Sequence, residues 1–116
     1  MTTTREIDAL IEHALYPERT LGTQRLSSYI KNPNGYSDLR SIPYYTTNIA
    51  EAFAALNMWL DSHPTYAVSI ETVNLITGRI YDVVLWGMDY EEVFAEKADT
   101  LPLAICNVLL STLEEK

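Results

Sequence analysis

The densest collection of side chains suited to binding chemistry lies between residues 16 and 46. Five of the eight tyrosines are there: Tyr16, Tyr29, Tyr36, Tyr44 and Tyr45. Four cations, Arg19, Arg25, Lys31 and Arg40, meet only two acids, Glu18 and Asp38, so this stretch is net positive in a chain of formal charge −8. Phenol rings stack on nucleobase faces, and a guanidinium offers phosphate oxygens two parallel hydrogen bonds. A ligand carrying both a base and a phosphate calls for that mixture. Arg25, Tyr36, Arg40 and Tyr45 are the expected contacts, since they fall outside every apolar stripe and flank the turn Asn32-Pro33-Asn34-Gly35. A plainer reading uses the same side chains: tyrosines pin a long connection to the core while arginines pair with nearby acids. Where arginines pair only with surface carboxylates, losing Arg25 or Arg40 hardly changes stability, because such pairs contribute about 0–1 kcal/mol.

Groups that could do covalent or metal chemistry are sparse. His13 and His63 lie at the ends of different helices with no cysteine or carboxylate at ligand spacing, whereas zinc needs three or four such ligands. Cys106 sits in an apolar helical run and reads as a buried structural thiol. Gly22, Gly35, Gly78 and Gly87 are isolated, so no phosphate-cradling loop is present. Glu91, Glu92 and Glu96 can be drawn as an acid/base pair or a cation site, but charges that keep an edge strand from aggregating account for them more simply. The expectation is a non-enzymatic protein with no cofactor and no metal.

Regular elements must position these residues. Thr3 followed by Glu6 makes a capping box, and Ile7, Leu10, Ile11, Ala14 and Leu15 then recur at helical spacing. Asn48 with Glu51 opens a second helix, whose buried face is expected to be Ile49, Ala52, Phe53, Leu56 and Leu60, widened by Trp59. Residues 66–75 alternate as a strand, Thr77-Gly78 turns the chain, and residues 79–86 return with apolar groups on both faces. Residues 89–98 suit a helix capped by Asp89 and Glu92 as well as an edge strand. Pro102 opens a last helix that is apolar almost all round. Residues 16–46 show no sustained period, only a weak helical signal over 23–30.

Two runs carry a family resemblance. Residues 43–53, Pro-Tyr-Tyr-Thr-Thr-Asn-Ile-Ala-Glu-Ala-Phe, resemble the opening of the second helix in the phage "ABA sandwich" proteins. Residues 98–110, Ala-Asp-Thr-Leu-Pro-Leu-Ala-Ile-Cys-Asn-Val-Leu-Leu, are similar to that family's most recognisable stretch. The resemblance implies an α/β fold: a three-layer α/β/α sandwich with a small antiparallel sheet of about three strands and three main helices. It also implies a strand at 90–98 and a bacteriophage origin. The family has no assigned catalytic residues to carry over. The segment 16–42 is longer and more aromatic than the family pattern.

A chain of 116 residues, 47% of them hydrophobic, is one domain over 1–116, with 16–46 as a connecting segment inside it. No apolar run approaches the roughly 20 residues that cross a bilayer. The first residues lack a signal-peptide core, and a single cysteine suits a reducing compartment, so the host bacterial cytoplasm is expected. The acidic balance argues against direct nucleic-acid binding. Together these readings predict a phage accessory protein that counters host defence by sequestering a nucleotide-derived immune signal. It would act as a homo-oligomer, dimer or larger, with pockets between protomers. The alternatives are an acidic protein–protein inhibitor that mimics nucleic acid toward a host defence enzyme, and a phage factor with no ligand. A contiguous acidic face favours the inhibitor; a pocket lined by Tyr and Arg favours the ligand binder.

Overall fold

The computed structural model describes residues 3–22, 26–89 and 91–114. In chain order these form α1 (Thr4–Leu15), β1 (Arg19–Leu21), β2 (Ser27–Asn32), β3 (Gly35–Ser41), α2 (Ile49–Ser62), β4 (Ala67–Leu75), β5 (Gly78–Trp86), β6 (Glu92–Ala98) and α3 (Leu101–Glu114). The protein is therefore mixed α/β, with three helices and two three-stranded antiparallel sheets, ordered β1-β2-β3 and β4-β5-β6.

Both capped helices begin where their sequences say. The Thr3 hydroxyl accepts a hydrogen bond from the Glu6 amide, and the Asn48 side-chain oxygen accepts one from the Glu51 amide. Their buried faces are rotated from the expected stripes. On α1 the fully enclosed residues are Asp8, Ala9, Ile11 and Glu12, while Leu10 is exposed. On α2 they are Ala52, Ala55, Leu56 and Trp59, with Ile49 and Phe53 exposed. The α1 rotation has a clear cause: the two carboxylates find partners inside, so burying them is tolerable.

The core lies between the helices and the β4-β5-β6 sheet. Ile11, Leu56, Val83, Leu85, Ile105 and Val108 lie at its centre, each almost fully enclosed. Burying a side chain of this size contributes about 1.5–3 kcal/mol. Helix α3 packs on β5 and β6, and α1 and α2 pack on α3. Alternation along β5 sends Val83 and Leu85 into this core. Val84 is also buried but stands outside that cluster, on the other face, where the Trp86 indole donates to the Ser69 hydroxyl at 2.8 Å. The hairpin between β4 and β5 turns at Gly78, whose φ of +147° is open only to glycine at little cost.

Residues 92–98 are strand, paired with β5 from Tyr81↔Ala98 to Trp86↔Glu92. That excludes the helical alternative for this stretch and agrees with the strand implied at 90–98; Tyr90 itself lies outside the described residues. The segment 16–46 departs most from its sequence reading. It is no irregular connection but the β1-β2-β3 sheet, and the weak helical signal over 23–30 gives way to strand β2 from Ser27 onward. The turn at Asn32–Gly35 joins β2 to β3 as the sequence indicates, with Gly35 at φ +135°. Strand β3 is polar and exposed on both faces, so no apolar period marks it.

Candidate functional site

A sheet so polar has little apolar surface with which to hold itself to the protein. Its attachment runs instead through a buried ionic cluster on α1. Glu12, 0% exposed, accepts from Arg40 at Oε1 (2.7 Å, from Nη2) and Oε2 (3.0 Å, from Nε). It also accepts from the Tyr45 hydroxyl at 2.8 Å and the Ser28 hydroxyl at 2.6 Å. Arg19 closes the ring: its Nε donates to the Ser28 hydroxyl at 2.8 Å, and its Nη1 to Asp38 at 2.8 Å. One turn earlier, Asp8 accepts from the Thr46 amide and pairs with Arg5, which also donates to the Ile42 carbonyl. Thus one helical face, Asp8 and Glu12, holds strands β1, β2 and β3 and the chain leading into α2.

Electrostatics follow from this geometry. Burial alone would raise the Glu12 carboxyl, but hydrogen bonds from Arg40, Ser28 and Tyr45, and the Arg40 charge, hold it below the usual carboxylate range. Arg40 is pushed up by its bond to Glu12, and burial beside the same carboxylate pushes the Tyr45 phenol up. Glu12 is thus held ionised, and Arg40 and Tyr45 are held protonated. Such an arrangement holds structure and has no proton to exchange near neutral pH.

Of the four expected contact residues, two meet on one carboxylate and a third stands apart. Arg40 and Tyr45 both bond to Glu12, Tyr45 from inside the core. Tyr36 is 63% exposed on β3, its ring 5.2 Å from that of Tyr29. Arg25 lies outside the described residues. A ligand reaching Arg40 would compete with Glu12 for it. Arg19 and Arg40 therefore do pair with acids, and tyrosines do pin the segment: the Tyr16 hydroxyl donates to the Met58 sulfur, with the Arg40 guanidinium over its ring. The expectation that Arg40 is dispensable for stability is corrected here, because its partner carboxylate is fully buried.

A cleft of about 400 Å³ opens elsewhere, at the C-terminal ends of all three helices. Leu15 of α1, Ser62 of α2 and Leu113 of α3 line it, and its aromatic walls are Trp59, His63, Tyr66 and Phe94. The His63 ring stacks on Trp59 at 4.0 Å, and Tyr66 meets Trp59 edge-on at 5.0 Å. His63 Nδ1 is 2.8 Å from the Trp59 carbonyl. A carbonyl only accepts, so Nδ1 carries the proton and Nε2 of the neutral ring is an acceptor. Each helix C-terminus carries partial negative charge, and α2 and α3 have no basic residue in their last turns. The cleft thus offers aromatic faces in a weakly negative field, with neither Arg nor Lys among its described lining residues.

Sequence reasoning treated Trp59 as part of the buried face of the second helix, Tyr66 as the start of a strand and His63 as a helix end. The available signal was their spacing: residues 59 and 63 share a helix face, and 66 follows one turn of chain later. No cluster of His, Cys, Asp or Glu among the described residues could hold a metal ion. Cys106 is buried and its thiol is pushed up to about 12 by burial, so it is a core residue as expected. No helix of the described residues is long and apolar enough to cross a membrane. Compared with protein-family models, curated proteins and solved structures, the chain matches none.

Proposed function

We propose that the protein acts by binding, without catalysing a reaction, and that the cleft at the three helix ends takes a flat heteroaromatic ring. The observation that carries this is the aromatic set Trp59, His63, Tyr66 and Phe94 around a space of ligand size. Stacking on such walls contributes about 1–3 kcal/mol per ring. His63 Nε2 would then accept from a ring N–H. The base of a nucleotide-derived signal is a ring of this kind, which keeps the reading of a phage accessory protein that sequesters a host immune signal as a homo-oligomer. That setting rests on the resemblance of residues 43–53 and 98–110 to the phage ABA sandwich proteins. So does the three-layer stacking, which a helical layer on the Val84–Trp86 face would complete.

The helix ends disfavour phosphate inside the cleft. Phosphates would sit at its mouth, met by basic groups such as those of the 16–46 segment of another protomer. Thermal-shift and calorimetric titration with bases, nucleosides and linear and cyclic nucleotides tests this. A ring-bearing ligand should stabilise the wild type, and Tyr66→Ala should weaken its binding about tenfold, within the range for one lost stack. If no member of the panel stabilises the fold, the reading fails. The acidic protein–protein inhibitor would then lead, favoured by the net charge of −8 and the exposed run Asp89, Glu91 and Glu92.

A further inference from the structure

Strand β4 is an edge of its sheet, and no other strand among the described residues pairs with its outer side. Edge strands present unpaired backbone N–H and C=O groups, and proteins blunt them with charges, proline, bulges or shortness. The opposite edge, β6, is blunted: Glu92, Glu96 and Lys97 place three charges in seven residues, and its pairing slips beside Trp86. Strand β4 is barely blunted at all. It runs nine residues, Ala67–Leu75, in unbroken register with β5, with Glu71 as its one charge and no proline or glycine. Ile70, Val73 and Leu75 are exposed along it. This is a long, regular strand of high β-propensity left open in an otherwise acidic protein.

We propose that β4 pairs antiparallel with the β4 of a second copy, joining two three-stranded sheets into one of six strands. Several features single out a second copy. Two chains each of charge −8 repel, so self-association is cheapest where charge is thinnest, and β4 is such a place. A two-fold axis also matches length and sequence automatically, giving an isologous contact.

The register can be derived. An axis perpendicular to the sheet keeps each face on its own side, and directly opposed residues share a face. The axis must therefore pass beside a residue and not between two. At Glu71 it would oppose two carboxylates, which is destabilising. At Ile70 it sets Ile70 against the partner's Ile70 and Val68 against the partner's Thr72. It also sets Ser69, whose hydroxyl already accepts from Trp86 and still has its proton to donate, against the partner's Glu71. Ile70 is thus the position of the axis. No β4 residue lines the cleft, so ring binding and this pairing are read out separately, although a monomeric protein would also remove the homo-oligomer of the proposed function.

Sedimentation equilibrium of the full chain, with disulfide trapping, tests the proposal. The wild type should sediment as a dimer, and Ile70→Lys, which puts two ammonium groups at the axis, should weaken dimerisation by at least about tenfold. Ile70 is part-exposed, so the circular dichroism spectrum and melt of that variant should stay native. Ile70→Cys should form an intermolecular disulfide under mild oxidation, since directly opposed residues fall within disulfide reach. Glu71→Cys, on the diagonal, should link far less; the buried Cys106 does not interfere. A wild type that stays monomeric at near-millimolar concentration overturns the proposal. So does a dimer that Ile70→Lys leaves intact, and preferential linking through Glu71→Cys overturns the register.

Discussion

Glu12 on α1 and Arg40 on β3, 28 residues apart in sequence, meet in a two-point contact of 2.7 and 3.0 Å. The carboxylate is fully buried, whereas the Arg40 side chain is 37% exposed, with its guanidinium over the Tyr16 ring. The pair is therefore unequal. Arg40 can be hydrated without Glu12, but Glu12 has only its protein partners.

Losing either partner should therefore be felt in stability. Glu12→Ala removes the carboxylate near buried Arg19 and takes the acceptor from the Ser28 and Tyr45 hydroxyl protons, and it should lower stability by about 3–5 kcal/mol. Arg40→Ala leaves the buried Glu12 charge with two neutral donors and with Arg19 at 3.8 Å, and it should also cost about 3–5 kcal/mol, the range for a buried pair that loses one partner. Urea unfolding at neutral pH measures both. Equal stability of Arg40→Ala and the wild type would show that the pair is merely superficial.

Acid should release the same clamp. The folded Glu12 carboxyl titrates below its unfolded value of 4.5. Its contribution is complete above that value and is lost as pH falls through the lower folded value. Unfolding free energy should therefore drop as pH falls below about 4.5, and the drop should be shallower in Glu12→Gln. A drop of equal slope in both proteins would place the acid sensitivity elsewhere.

The sequence made these elements legible to very different degrees. Caps and period marked α1, α2 and α3, because Thr3, Asn48 and Pro102 act locally. Strands β4 and β5 were equally plain from alternation and the glycine turn. The β1-β2-β3 sheet was not, since it is attached by charge and not by an apolar face. Asp8 and Glu12 lie four residues apart, on the face that Ile11 and Leu15 also use, and so belonged to the buried side from the start. Apart from Arg5, their hydrogen-bond partners lie 16 to 38 residues away, and no local pattern announces them. The cleft was illegible for the same reason: it needs three helix ends to converge.

Cys106 offers a check on the core. With no exposed surface and its thiol pushed up to about 12, it should not react with a disulfide reagent at pH 8 while the protein is folded. Its modification rate should rise with urea in step with global unfolding. Fast labelling of the native protein would mean that α3 opens locally.

The binding claim is tested most directly by the two indole N–H signals in a proton–nitrogen correlation spectrum. Trp59 lines the cleft, whereas Trp86 is bonded to Ser69 on the far face of the sheet and serves as an internal reference. Titration with adenosine, guanosine and their cyclic nucleotides should shift the Trp59 signal in a saturable way with at least one of them and leave Trp86 in place. A Trp59 signal that stays still across the whole series, or that moves only together with Trp86, would contradict a ring-binding cleft at the helix ends.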